Sequence, residues 1–279
     1  MSLRIHTNPV ESWAGRQLKE SQQALHDSLE KIAAGKRTNK AADDASGMVI
    51  ADSLGSQARS MGQAIRNAND AVSMAQIADG ALQESAGIIK TIRTKAIQAA
   101  QDSNGPQSRQ AIQSDIDKLI DQIDMIAQNT SFNGQKLLSG GFIDKAFQVG
   151  ANPNETTSLS IESAESNRLG DNETGRLSDI NVLTQDGAEA AIGIADAALS
   201  DVNQMRSEIG SLQNQLTSSI RNLSVSQINI LSAESAIRDI DLAEESMILS
   251  KMKVLTRVRS FALAQARAGG ERVMQLFTT

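Results

Sequence analysis

VNQMRSEIGSLQNQLTSSIRNLSVSQINILSAESAIRDI, residues 202–240, decides the fold. Val202, Ile209, Leu216, Leu223, Ile230 and Ile237 recur at every seventh position. The companion positions Met205, Leu212, Ser219, Ser226, Ala233 and Ile240 alternate large and small. This 3–4 spacing, free of Pro and interrupted only by Gly210, predicts a long helix that packs on other helices. Working outward, a helix runs from about 188 to beyond 240. Segment 243–268 is helical again, with Ile248, Leu249, Met252, Leu255, Val258, Ala262 and Ala266 recurring. Gly269–Gly270 is expected to interrupt it before a last turn that contains Leu276.

A second helical block lies toward the other end. After Asn8–Pro9, Val10, Leu18, Leu25, Leu29 and Ile32 mark a helix that Gly35 stops. Lys36 to Gly47 is polar and aperiodic, a turn-rich linker in which Asp43 or Asp44 caps the next helix. Residues 45–102 read as one long helix whose stripe (Leu54, Ala58, Met61, Ile65, Ala68, Val72, Ala75, Leu82, Ala86, Ile89) is rich in alanine, which allows close helix approach. Asp102-Ser-Asn-Gly-Pro106 breaks it, and a further helix spans about 107–129. Residues 131–163 change character. Phe132, Phe142 and Phe147 cluster there, and Asn133–Gly134 and Gly140–Gly141 are hairpin signals. Lys145–Ala151 and Thr157–Glu162 alternate as short strands. Residues 164–187 read as mostly loop.

The expected fold is therefore mainly α: a long helical rod or coiled-coil bundle of N- and C-terminal helices with a small β-hairpin patch at about 131–163. The outer helices must meet to bury their stripes, because an isolated amphipathic helix is marginal in water. Composition agrees. Of 279 residues 2% are aromatic and none is Tyr, which suits thin bundles rather than a thick core. A net charge of −6 argues against non-specific nucleic-acid binding. Cysteine is absent, which removes disulfides and Cys-ligated metals. There is no apolar run long enough for a transmembrane helix and no cleaved-signal h-region near the start, so no membrane partner is expected.

Catalytic chemistry finds no foothold. His6 and His26 lie twenty residues apart, with no acid read at ligand spacing. His-Glu-x-x-His is absent, and the serines lack a His or Asp partner. Asp43–Asp44, Asp239/Asp241 and Glu244–Glu245 read as a linker cap and solvated helix faces. No enzyme, metal or cofactor is expected.

Four motifs then carry a resemblance. Leu29-Glu-Lys-Ile-Ala-Ala-Gly-Lys-Arg-Thr-Asn-Lys-Ala-Ala-Asp-Asp-Ala-Ser-Gly-Met48 closely resembles the N-terminal signature of bacterial flagellins, with Gly35, Asn39, Asp43, Asp44 and Gly47 in place. Thr130-Ser-Phe-Asn-Gly-Gln-Lys-Leu-Leu138, which contains Phe132, Asn133 and Gly134, is similar to their second signature. Phe147-Gln-Val-Gly-Ala151 and Ala233-Glu-Ser-Ala-Ile-Arg-Asp-Ile-Asp241, with Arg238 and Asp239, resemble two more. The matches are colinear and cover essentially the whole chain.

The resemblance implies a subunit that assembles with many copies of itself into a secreted, extracellular filament used for swimming. It implies a tube-lining terminal domain from 1–44 with 236–279, where Leu18, Leu25, Leu29, Ile32, Leu249, Met252, Leu255, Val258 and Leu276 drive polymerisation. A rod domain, 45–235, would carry the 202–237 seam and a switch element at about Asn133 to Glu162. Residues 164–187 leave no room for a large outer domain, so the chain resembles a minimal flagellin. Expected partners are the flagellar cap and hook-junction proteins and an export chaperone at the C-terminal helix, with export by the flagellar type III route.

An innate receptor reads the stretch that matches Ile89-Lys-Thr-Ile-Arg-Thr-Lys-Ala-Ile-Gln98. Arg93 fits the usual pattern. Thr91, Lys95 and Asp115 depart from it, which resembles the Campylobacter and Helicobacter type and implies weak recognition. Glu11-Ser-Trp-Ala-Gly-Arg16 and Thr256-Arg-Val-Arg259 also depart from the family pattern and point to a minor, specialised member; the nearest rival is the hook–filament junction protein, over which the paired signatures around Asp43 and Asn133 favour flagellin. A chemoreceptor-like coiled coil is disfavoured by the Phe-containing β patch, and a protease-bearing flagellin by the missing His-Glu-x-x-His.

Overall fold

The computed structural model describes residues 9–171 and 174–278, with side chains as far as residue 269. The order is α1 (Pro9–Ala34), α2 (Ala45–Ala100), α3 (Pro106–Asn129), β1 (Ser131–Phe132), β2 (Gln135–Lys136), β3 (Phe142–Gln148), β4 (Thr156–Ile161), β5 (Gly170–Asp171), β6 (Gly175–Arg176), a 3-10 turn at Leu177–Asp179, α4 (Gln185–Arg238) and α5 (Leu242–Thr278). Two compact units result. One holds residues 57–228; the other joins the residues up to Ser56 with those from Asn229 onward.

In the 57–228 unit the core is a seam of small residues on α2. Ala64, Ala68, Ala71, Ala75, Ala78, Leu82, Ser85, Ile89, Ile92, Ala96 and Ala99 are all buried, and their spacing alternates four and three throughout. The α4 side of the core answers with Ala188, Ala191, Ala195, Ala198, Val202, Met205, Ile209 and Leu216, again buried and again spaced by threes and fours apart from Leu216, a heptad beyond Ile209. Alanine at the contact lets helix axes approach at the short end of the usual range. α3 adds Ile112, Ile116, Ile120 and Ile123 to the same cluster. Arg206–Asp79 at 2.8 Å and Arg93–Asp196 at 2.6 Å tie α4 to α2 along its flank; such exposed pairs contribute about 0–1 kcal/mol each, so packing dominates.

The β segments add to this core, with Phe142, Leu159 and Ile161 buried in the same cluster. Asn133 (φ 47°) and Gly134 (φ 78°) make the tight turn between β1 and β2. Gly140–Gly141 is not a hairpin turn, contrary to the reading of that pair; it links β2 to β3. The β3–β4 hairpin reverses instead over 149–155, where Asn154 has φ 68°. Glu155 closes that reversal by accepting from the Asn152 amide and side chain, which hold its carboxyl below the ordinary glutamate range.

Residues 164–184 are mostly loop, as read, but a packed one. β5, β6 and the 3-10 turn occupy it, and Ala164, Leu169, Leu177, Ile180 and Val182 are buried. Side chains from the helices pin it. Asp124 accepts from the Ser166 amide and hydroxyl at 2.7 and 2.8 Å. Gln113 donates to the Ile180 carbonyl and accepts from the Val182 amide. Such polar anchors leave no composition signal, since they are single residues on otherwise apolar-periodic helices.

Two helix boundaries also differ from the sequence reading. α4 ends at Arg238 rather than running past 240, and the α5 backbone continues through Gly269 and Gly270.

Candidate assembly surface

The terminal unit is built on α1 and α5. On α1, Ala14, Leu18, Ser21, Leu25, Ser28 and Ile32 alternate small and large at 4–3 spacing; the small ones are buried and the large ones half-buried or better. From α5, Ile248, Leu249, Met252, Leu255 and Leu263 are half-buried. The helices run antiparallel, as the Glu11–Arg267 ion pair (2.9 Å) at one end and the Gly35–Ile240 backbone bond (3.4 Å) at the other show. Arg259, one of the two cations that depart from the family pattern, lies inside this pairing. Its guanidinium donates to the Gln17 carbonyl at 2.8 Å and to the Ser21 hydroxyl. A cation fits there because Ser21 is small and offers an acceptor.

Of the residues read as driving polymerisation, Leu18, Leu25, Ile32, Leu249, Met252 and Leu255 lie in or beside the pairing, whereas Leu29 and Val258 are exposed. Leu276 lies outside the residues whose side chains are described. Val258 belongs to a second pattern. Met247, Val254, Val258 and Phe261 expose 68%, 60%, 57% and 74% of their surface. With Lys251 they recur at positions 247, 251, 254, 258 and 261, a second heptad seam on a different face of α5 from the α1-facing one. Trp13 on α1 and Val49 and Ile50 on α2 are exposed in the same unit. Burying one such side chain fully is worth about 1.5–3 kcal/mol, so this unit holds a large apolar surface that its own chain leaves uncovered.

The connection between α1 and α2 is more ordered than a linker. Gly35 takes φ +66°, which ends α1. Asp44 caps α2 by accepting from the Gly47 amide at 2.9 Å. Asp43 does something else: its Oδ2 accepts from the backbone amides of Lys40 (2.9 Å) and Asn39 (3.1 Å), and these bonds hold its carboxyl below the ordinary aspartate range. Asn39 and Lys40 in turn reach the Glu30 carboxylate. A carboxylate with a lowered native pKa stabilises above its unfolded pKa and loses that role as pH falls through the native value. Asp43→Asn is therefore expected to speed exchange of the Asn39 and Lys40 amides several-fold at pH 7, an effect that vanishes in acid below the lowered pKa. Amide exchange by NMR checks this, and equal rates in both proteins at pH 7 would refute it.

Arg238 binds Asp52 at 3.0 Å and lies 3.6 Å from Glu234. Gly55 makes room for this, since a Cβ there would stand 3.0 Å from Glu234. Asp239 accepts from the Ser235 hydroxyl at 2.6 Å and pairs through its backbone with Lys36. In the other unit Leu223 is half-buried beyond the buried Val202, Ile209 and Leu216, and Phe132 packs on the core. Ile230 and Ile237, the last residues of that heptad series, are half-buried in the terminal unit. Thr91 is exposed; Lys95 is paired with Asp115 at 2.8 Å, and its ammonium holds that carboxyl below the usual range.

One sequence reading of the histidines fails. His26 does have acids at ligand spacing: Asp27 and Glu30 bring their carboxylates to within 4.8 Å of its ring nitrogens, because i+1 and i+4 share a helix flank. Glu30 is already occupied by the Lys40 ammonium at 2.6 Å. A polar cleft in the 57–228 unit is lined by Ser139, Ser163, Glu162, Arg168, Asp201 and Glu208 among others, with no histidine or lysine to serve those serines as base. Its Asp201 is held by the Gly170 amide. Among the described residues no helix is long and apolar enough to cross a membrane.

Residues 5–143 match the family model for the bacterial flagellin N-terminal helical region, and residues 192–277 match that for the C-terminal helical region. A flagellin of Bacillus subtilis is 34% identical over 304 aligned positions, covering 98% of this chain and 99% of that one. Flagellin B of Helicobacter pylori is 46% identical over 212 residues. There the chain is covered to 75% and spans only 41% of its relative's length. A solved structure described as a flagellar hook-associated protein from Vibrio parahaemolyticus has a TM-score of 0.60 at 14% identity, over 71% of this chain and 100% of that one, a likeness of fold alone. Motifs, two family models and a full-length relative agree that the chain belongs to the bacterial flagellin family.

Proposed function

We propose that this protein is a structural subunit, not an enzyme, that polymerises with copies of itself into the extracellular flagellar filament used for swimming. The observation that carries this is the second apolar seam of α5, bare in the single chain, on a protein of this family. A helix that pairs through one face and exposes another heptad seam is built to be covered by further helices.

In this reading 1–44 with 236–279 forms the tube-lining domain and 45–235 the surrounding rod. The region around Asn133–Glu162 is the switch between protofilament lengths. The cap and hook-junction proteins are partners at the filament ends, and an export chaperone covers the C-terminal helix before the chain leaves by the flagellar type III route. Recognition by the innate receptor is weak: Thr91, Lys95 and Asp115 depart from the family pattern, and Lys95 is held by Asp115.

Seeded growth tests the assembly reading. Purified monomer added to short filament seeds is expected to form long tubes by electron microscopy, and deletion of residues 1–40 is expected to stop growth. A stable monomer or a short closed oligomer in the intact protein would replace this reading with the hook–filament junction role.

A further inference from the structure

Methionine carries all of this chain's sulfur: there are nine Met and no Cys. With thiols absent, the thioether is the side chain that peroxide oxidises, and it reacts where it is exposed. Among the described residues two methionines are exposed, Met247 at 68% and Met125 at 55%. Met205 is buried, and Met48, Met61, Met74 and Met252 are half-buried.

The two exposed sites differ in what surrounds them. One turn to either side of Met125 on α3 stand Asp121, Gln122, Gln128 and Asn129, all polar and exposed. An added oxygen there disturbs no apolar stripe. Met247 instead opens the bare α5 seam, one heptad before Val254 and two before Phe261. Those two side chains are 60% and 74% exposed. A neighbouring copy that covers this seam takes the Met247 thioether out of water along with them. The thioether suits that place, being apolar and able to fit an irregular partner surface. Its sulfoxide does not, because a strongly polar S–O group is then buried without a donor. The seam lies on a face of α5 other than the α1-facing one. Met247 is therefore open to solvent in the unassembled subunit whether or not α5 is paired with α1.

We propose that Met247 is an oxidation-sensitive site on the assembly seam: peroxide converts it to the sulfoxide in the free subunit, and that subunit is kept out of the filament until it is reduced. A sulfur lone pair attacks one peroxide oxygen, and the S–O bond forms as the O–O bond breaks. The thioether loses two electrons to the peroxide. The proton left on the transferred oxygen passes to the departing hydroxide, which leaves as water. A dithiol reductant restores the thioether, carries the oxygen off as water and becomes a disulfide. The proposal rests on the assembly reading above. Once the seam is covered the same sulfur is shielded, so the sensitivity belongs to the free subunit.

The test grows purified full-length subunit, partly oxidised with hydrogen peroxide, on isotope-labelled seeds whose peptides are told apart by mass. Filament and supernatant are separated by sedimentation, and sulfoxide occupancy at each methionine is read by peptide mass spectrometry. Sulfoxide at 247 is expected to be depleted several-fold in the filament relative to the supernatant, and sulfoxide at 125 to be equal in both. Met247→Gln, a permanent polar substitute, is expected to elongate several-fold more slowly than wild type, and Met247→Leu to elongate as wild type does. Equal occupancy at 247 in filament and supernatant overturns the proposal, as does wild-type elongation of Met247→Gln. Peroxide added to finished filaments separates this from the assembly reading. Met247 is expected to oxidise several-fold more slowly there than in the free subunit, while Met125 keeps its rate. An unshielded Met247 in the filament would remove the seam from the assembly contact. A shielded Met247 whose sulfoxide still enters filaments counts against the oxidation proposal alone.

Discussion

Phe261→Asp is expected to abolish filament elongation while leaving the single chain folded. Phe261 exposes 74% of its surface, so the substitution removes little packing within its own chain. Within a filament it costs twice over. The lost burial of a phenylalanine is worth about 1.5–3 kcal/mol. Bringing an unpaired carboxylate into an apolar contact adds several kcal/mol more. Roughly 4 kcal/mol or more per contact is about a thousandfold in subunit affinity, which takes growth below detection at ordinary protein concentration. Seeded light-scattering kinetics with sedimentation read this directly. Ser260→Asp, on an exposed position of the same helix well away from the seam face, is the control and is expected to elongate as wild type does. Elongation of Phe261→Asp at the wild-type rate would remove α5's second seam from the assembly contact.

The other large effect concerns the α2 seam, which is expected to punish changes of volume in both directions. Ile89 is fully buried among α2, α3 and α4 side chains, so Ile89→Ala leaves a cavity and is expected to cost about 2–5 kcal/mol. For a unit of this size that lowers the melting temperature by roughly 2–4 °C per kcal/mol. Ala75 is equally buried, but its smallness is what sets the helix separation. Ala75→Leu inserts three carbons where the seam has no room, at about 1–3 kcal/mol. A loosely packed contact would gain apolar burial from leucine at position 75, so a stabilised Ala75→Leu by calorimetry would show that the alanines are not a close-packed seam.

Legibility in the sequence followed the range of the interaction. The heptad recurrence from Val202 announced α4 because a periodic stripe is a local property repeated many times. Asn133–Gly134 announced its turn because both residues sit at positive φ without strain. The alanine spine was only half visible: Leu82 and Ile89 stood out, whereas Ala64, Ala71 and Ala78 did not, since alanine is as common on exposed helix faces as in tight contacts. His26 was read as isolated, although the i+4 position of Glu30 was on the page; what spacing could not show is that Lys40 already fills that carboxylate.

By itself, then, the sequence determined the mainly helical class, the placement of the long helices and the family, because these rest on periodicity and on contiguous motifs. The tertiary structure decided what single contacts decide. It gave the Ile237 and Arg238 carbonyls at the end of α4 to Arg37, it put Asp44 on the cap and Asp43 on the turn, and it tied Ser166 to Asp124 and the backbone of Ile180 and Val182 to Gln113. It also separated α5's two apolar seams into one that α1 covers and one left bare. Each of these is a competition between a local bond and a distant one of similar strength, and only the folded geometry settles which partner is within reach.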